Sequence, residues 1–256
     1  MRYDVWLGGK RLTDACSVAR IVDVTEDAPK ESPVTAALGV RDGSRLLRVR
    51  RERLTVEVTL ALMEQDKARR ALFYEQLCAW AAPGWLAISD RPGRRLHVDE
   101  ARVPALGSVR DWTDEIKVSL TAYAVPYWDG SFPAMASITT AATSGNAALF
   151  PRGTATSCPV TAKIKAVGGT VNALTVTTGD TSMTFASLGL AAGSTLTIDH
   201  ADDGTLRMKI GSTSVMSKRT AASADDLLLV PGKSGAVGFT ANATCTAVFE
   251  TRGRWR

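Results

Sequence analysis

Residues 53–80 read RLTVEVTLALMEQDKARRALFYEQLCAW, and the hydrophobic period changes partway along them. Leu54, Val56, Val58, Leu60 and Leu62 alternate with polar neighbours, the period of two of a half-buried strand. From Glu64 to Trp80 the period lengthens. Phe73, Leu77 and Trp80 stand at i, i+4 and i+7, with Ala68, Ala71 and Leu72 alongside. No Gly or Pro interrupts the stretch, and Pro83-Gly84 closes it, so one amphipathic helix is expected over 64–80. The fold that follows is a sheet with a single helix packed on it.

Outward from this stretch the chain stays β-rich. Upstream, Leu47 and Val49 have the opposite parity, so a bulge or short turn is expected around Arg50-Arg51-Glu52. Downstream, Leu86 and Ile88 alternate, SDRPGR turns, and Leu96 and Val98 return as a hairpin. EIKVSLTAYA then buries Ile116, Val118, Leu120, Ala122 and Ala124 before meeting Pro126, which cannot donate to a ladder. The segment 131–157 is poor in charge and rich in small residues, and reads as a connector and first strand. From Cys158 the candidate strands VTAKIKAV, ALTVTT, SMTFASL, STLTID, TLRMKI, DLLLV, AVGFT and CTAVFET recur at short intervals with no helical period. That spacing argues a β-sandwich. The expected organisation is an N-terminal domain 1–130, a connector 131–157 and a C-terminal sandwich 158–256.

Bulk composition narrows the function. With 45% hydrophobic and 22% charged residues the chain can build a packed core. The N-terminal MRYDVWLGGKRL has no long apolar segment, so no secretory signal is expected. A net charge of +5 is mild for a dedicated nucleic-acid binder. Met1 to Gly130 holds 20 Lys+Arg and 19 Asp+Glu, and Ser131 to Arg256 holds 11 and 7, which suggests two domains of different surface character.

No active-site pattern emerges. The two histidines, His97 and His200, fall in a strand and at a hairpin lip, and both read as structural. PGKSG at 231–235 has Leu227 where a phosphate loop needs Gly, and no helix follows it. The acid pairs Asp114-Glu115, Asp202-Asp203 and Asp225-Asp226 read as solvated turns. Cys16, Cys78, Cys158 and Cys245 have no metal-ligand spacing and read as four buried, reduced thiols, with a Cys158–Cys245 bridge left open. Arg41, Arg45, Arg48, Arg50, Arg51 and Arg53 are the densest positive feature, interleaved with Asp42, Glu52 and Glu57. They suit an intersubunit salt-bridge network or a solvated strand face better than nucleic acid. No catalytic residue, metal or cofactor is expected, and the chain reads as a structural or binding protein.

The order of parts resembles the distal tail proteins of long-tailed, non-contractile bacteriophages. The residues that carry the resemblance are Pro126-Tyr127-Trp128, the late Pro231-Gly232 turn and the terminal Arg254-Trp255. Ser234 stands near where members often carry Asn. The resemblance implies a tail-tube-like β-sandwich or split barrel with one helix, forming a hexameric ring, and a galectin-like sandwich projecting from it. It implies no enzyme activity. It also implies partners: the tail-tube protein, a tail-associated hub protein and, in some members, receptor-binding proteins. DNA would pass through the lumen, no membrane would be bound, and the protein would reside in the virion tail tip after assembly in the host cytoplasm. Galectins bind sugar through a His, Asn and Arg set around a Trp, whereas the second half here has only His200 and Trp255, so the likeness carries shape alone.

Three roles follow as expectations. Pro126, Tyr127 and Trp128 anchor the domain junction. Arg45, Arg48, Arg50, Arg51 and Arg53 face a neighbouring subunit. Pro231, Gly232, Arg254 and Trp255 close the second sandwich. The alternative function is a carbohydrate-binding sandwich for host-surface adhesion, which would need Phe185, Phe239, Phe249 or Trp255 exposed. A hydrolase would need acid partners for a histidine across a cleft.

Overall fold

The computed structural model describes residues 3–28, 30–37, 44–62, 64, 66–105 and 114–256, with the backbone alone described at 37, 44, 45, 47–50, 62 and 114. The chain divides into two compact units, Met1–Trp128 and Asp129–Arg256. It is mainly β, built on antiparallel sheets with a few short helices.

The first unit contains β1 (Val5–Leu7), β2 (Lys10–Arg11), α1 (Leu12–Ala15), β3 (Ala19–Glu26), β4 (Lys30–Ala37), β5 (Ser44–Leu62), α2 (Lys67–Trp80), β6 (Gly84–Ile88), β7 (Arg94–Val98), β8 (Glu100–Arg102) and β9 (Asp114–Ala122). One sheet runs β2-β1-β6-β7 and a second runs β3-β5-β9-β8, all antiparallel. The parity read from the sequence places the core. Leu54, Val56, Val58 and Leu60 of β5 and Ile116, Val118, Leu120 and Ala122 of β9 are all buried. The ladder slips between Arg51 and Arg53, which lets Leu54 and its successors share one face.

β5 is longer than its sheet. Its C-terminal half lies between β3 and β9, whereas residues 44–53 pair only with β4 among the described residues. Residues 30–37 and 44–53 therefore form a two-stranded arm, and β4 has no buried residue among those described.

The helix begins at Lys67, later than expected, because the Asp66 carboxylate accepts from the backbone N–H of Ala68 (2.7 Å) and Arg69 (3.2 Å). Its buried stripe is Arg70, Phe73, Leu77 and Trp80, and Trp80 Nε1–H donates to the Lys10 carbonyl at 2.9 Å. Ala68, Ala71 and Leu72 lie on the exposed side, contrary to expectation, because the stripe meets the rest of the unit along one line. The one-helix expectation is also corrected by the single turn of α1.

The second unit contains β10 (Trp128–Leu149, whose first residue still belongs to the first unit), β11 (Cys158–Gly168), β12 (Leu174–Thr178), β13 (Thr181–Phe185), β14 (Thr195–His200), β15 (Leu206–Ile210), β16 (Thr213–Ser214), β17 (Leu228–Leu229) and β18 (Gly235–Trp255), with a 3-10 turn at Met216–Lys218. The order is β16-β15-β14-β11-β18-β10, with β12 and β13 on the other end of β18 and β17 on β11. β18 pairs β12 through residues 237–241 and β11 through residues 244–251, so one strand serves both layers. The separate strands expected at AVGFT and CTAVFET are thus one. Val160, Ala162, Ile164, Val176, Phe185, Leu196, Ile198, Phe239 and Phe249 fill the core between them.

In the segment 131–157, expected to hold a connector and a first strand, the strand runs through Leu149. Its small residues have a packing reason. A Cβ at Gly145 would lie 2.8 Å from Ile138 Cγ2, although a straight strand would hold those positions roughly 23 Å apart. β10 therefore turns a sharp corner between them, and its inward positions Ala134, Ala136, Ile138 and Ala147 lie against the core. Bulky side chains could not fit inside that corner.

The cysteines correct a further expectation. Cys16, Cys158 and Cys245 are buried, but Cys78 is exposed on α2, and all four are free thiols. Cys245 is paired with Ala166, eight positions along β11 from Cys158 and roughly 26 Å at strand rise, far beyond disulfide reach. A thiol reagent is expected to label one cysteine per native chain and four after unfolding. Burial pushes the Cys16 and Cys158 thiols up to about 11 from an ordinary 9.0. A raised folded pKa stabilises fully below the unfolded pKa and is lost as pH climbs through the folded one. Denaturant melts are therefore expected to weaken between pH 9 and 11 as the Cys16 and Cys158 thiols ionise. Cys158→Ala should remove its share of that slope, and an equally steep slope in the variant would refute the assignment.

Candidate functional site

The residues singled out by the sequence fall at three places. At the end of the first unit, β9 stops at Ala122, earlier than expected and ahead of Pro126. The Asp99 carboxylate explains the stop. One oxygen accepts from the N–H groups of Tyr123 (2.7 Å) and Ala124 (2.9 Å), and the other meets His97 Nδ1 at 3.2 Å. These bonds turn the chain away from the ladder, so Tyr123 and Ala124 are exposed where Ala124 was expected buried.

Beyond this bend, Pro126 and Trp128 are buried. Trp128 is fully enclosed, and its Nε1–H donates to Glu26 Oε2 at 3.0 Å. Arg91, from the β6–β7 turn, stacks 4.9 Å from the indole centroid and pairs with the same Glu26 carboxylate. Glu26, Arg91 and Trp128 thus lock three segments of one unit together. Trp128 is the last residue of that unit. Tyr127 is partly exposed, with the Arg51 guanidinium 4.9 Å from its ring centroid.

The second place is the arginine strand. Arg51 Nη1 donates to the Pro126 carbonyl at 3.1 Å, so at least this arginine is engaged within its own unit. Arg53 is exposed. The side chains of Arg45, Arg48 and Arg50 lie outside what is described, as does all of Arg41.

The third place is the end of β18. Arg254 Nε bonds Asp129 Oδ1 at 2.8 Å with both side chains largely buried, and the Arg254 carbonyl accepts from the N–H groups of Thr154 and Ala155. Gly153 lies so close to that carbonyl that a Cβ would sit 1.9 Å from it, and at φ +129° only glycine is at ease. Pro231-Gly232 makes the turn into β18, with Gly232 at φ +76° and its N–H bonded to the Pro151 carbonyl at 2.8 Å.

Each histidine has an acid neighbour: His97 bonds Asp99, and His200 Nε2 lies 2.9 Å from Asp226 Oδ1. Among the described residues neither ring is hydrogen-bonded to a Ser, Thr or Cys side chain. Asp226 also accepts from Leu227 N–H, and Asp99 caps the bend described above, so both acids hold backbone. An open cleft of about 600 Å³ beside α1 is lined by Arg11, Thr13, Asp14 and Arg20 among others, and contains neither histidine. No group of three His, Cys, Asp or Glu among the described residues is placed to hold a metal. No helix of the described residues is long and apolar enough to cross a membrane. Phe185, Phe239 and Phe249 are buried, which removes them as sugar-stacking surfaces.

No protein-family model matches the sequence, and no curated protein matches it. Among solved structures the chain is similar to the Dit protein of phage SPP1, described as a paradigm of the hub adsorption apparatus in phages infecting Gram-positive hosts. The two are 13% identical with a TM-score of 0.68, and each is covered over 100% of its length. Chains of the phage P2 baseplate in its activated conformation match over 98% of this chain and 97% of theirs. The form with Ca is 10% identical with a TM-score of 0.45, and the form with Sr is 9% identical with a TM-score of 0.46.

Proposed function

We propose that this chain, which shares the end-to-end Dit fold, is a structural virion protein: the distal tail protein of a long-tailed phage. It would form a hexameric ring linking the tail tube to the tail-tip hub and host-recognition apparatus. The observation that carries the reading is the full-length correspondence with SPP1 Dit, in which both units are matched in one chain.

The geometry of the first unit supports ring formation. The sheet β3-β5-β9-β8 ends in two strands that pair on one side only among the described residues. Open edges are places where a neighbour's strand can continue a ladder. The arm at 30–37 and 44–53 supports it too, since a two-stranded ribbon without a core is marginal alone and gains from a neighbouring surface. In this reading Arg45, Arg48, Arg50 and Arg53 face an adjacent subunit and Arg51 stays home on Tyr127. A strongly cationic lumen would bind passing phosphates tightly, so these arginines are placed off the DNA path.

The expected partners are the tail-tube protein, a tail-associated hub protein and receptor-binding proteins. The chain's role is to hold them and to let DNA through, without catalysis. Light scattering on a sizing column should return a six-fold multiple of the 27.2 kDa chain, alone or with its tail-tube protein. A monomer under both conditions would overturn the ring.

A further inference from the structure

The outward side of α2 is apolar, which a helix facing only water would not be. Leu72 is 55% exposed, and Ala68, Ala71, Glu75, Cys78 and Ala79 are exposed beside it. Spacings of three and four residues put them on one face, opposite the buried stripe of Arg70, Phe73, Leu77 and Trp80. A surface helix ordinarily carries its charges there, and a helix apolar on both sides is buried on both sides. Among these exposed side chains Glu75 alone is charged. Arg69, at the margin of the face, is already paired with Glu64 at 3.9 Å. Leu72 thus reads as core in the sequence and meets water in the single chain.

The same unit holds a segment that needs such a surface. Residues 30–37 and 44–53 form an arm without a core, and Leu46 on it is 56% exposed. A two-stranded ribbon of this kind is marginal in water by itself. Leu46 stands in the sequence among Arg45, Arg48 and Arg50, which complement the lone Glu75 of the helix face. The lengths agree as well. Residues 44–50 span about 20 Å as a strand, and residues 68–79 span about 17 Å as a helix.

We propose that the arm of one chain lies across the outer face of α2 in the next, with Leu46 against Leu72 and the arm's arginines beside Glu75. This inference rests on the ring reading and adds the two patches that would meet. They are different patches, as a head-to-tail contact that closes into a ring requires. Packing α2 against α2 of a second copy would instead use one patch twice and stop at a dimer.

Cys78 is an exposed thiol on the proposed contact, so it reports on it without a substitution. In the hexamer, formed alone or with the tail-tube protein, Cys78 should react with a thiol reagent at least about tenfold more slowly than in diluted monomer. Leu72→Glu should keep the monomer's melt and lose the hexamer. Leu46→Cys should form interchain disulfides with Cys78 on oxidation, giving covalent ladders longer than a dimer. A hexamer whose Cys78 stays as reactive as the monomer's, or one that Leu72→Glu still forms, would overturn this contact and leave the ring standing. Covalent dimers of the parent through Cys78 would set α2 against itself and overturn it too. A monomer both alone and with the tail-tube protein would overturn the ring and this contact together.

Discussion

Trp128→Ala is expected to lower the stability of the first unit by about 3–5 kcal/mol, the cost of emptying a large buried aromatic site. The indole is fully enclosed, its N–H is bonded to Glu26, and its face is covered by Arg91. Removing it opens a cavity and takes one donor from a largely buried carboxylate. Trp128→Phe should keep most of the apolar contact and lose only the hydrogen bond, costing about 1–2 kcal/mol. Urea melts of the full chain, followed by probes specific to each unit, make the comparison. A shift confined to the first unit's transition marks Trp128 as that unit's own keystone. A shift of both transitions would mark it as the junction anchor proposed from the sequence. No shift in either would remove both roles.

Arg254→Met is expected to destabilise the second unit by a comparable amount, about 3–5 kcal/mol, because it strands a buried carboxylate. Asp129 has a side chain only 12% exposed and its ion-pair partner is on the opposite end of the unit's sequence. Adding Asp129→Ala to that background should recover part of the loss, since the charge left unpaired is then gone. A double-mutant cycle with no coupling would show that Arg254 acts through packing alone. Asp129 and Trp128 are neighbours in the chain, yet each is fixed by a distant segment of its own unit.

Periodicity made much of the architecture legible. The alternation at Leu54–Leu60 and Ile116–Ala122, the Phe73-Leu77-Trp80 stripe and the hairpin at residues 84–98 follow from which faces must leave water. Propensity misled where packing overrode it. Ala and Gly in β10 look like a connector, but they are what a cornered strand needs against Ile138 and Phe239. Leu72 looks like core and is 55% exposed, because a helix stripe does not reveal how wide its contact is.

The candidate site was legible in its residues and illegible in its partners. Pro126-Tyr127-Trp128 is conspicuous as a cluster of rings, but no local signal joins Trp128 to Glu26, 102 positions away, or to the Arg91 turn. Likewise Arg254 and Asp129 are 125 positions apart. Alternation and period, which depend on the burial of each residue in turn, were determined by the sequence alone. The pairing of distant side chains was decided only by tertiary structure, because a hydrogen bond or ion pair acts over a few ångströms and depends on which segments the core brings together.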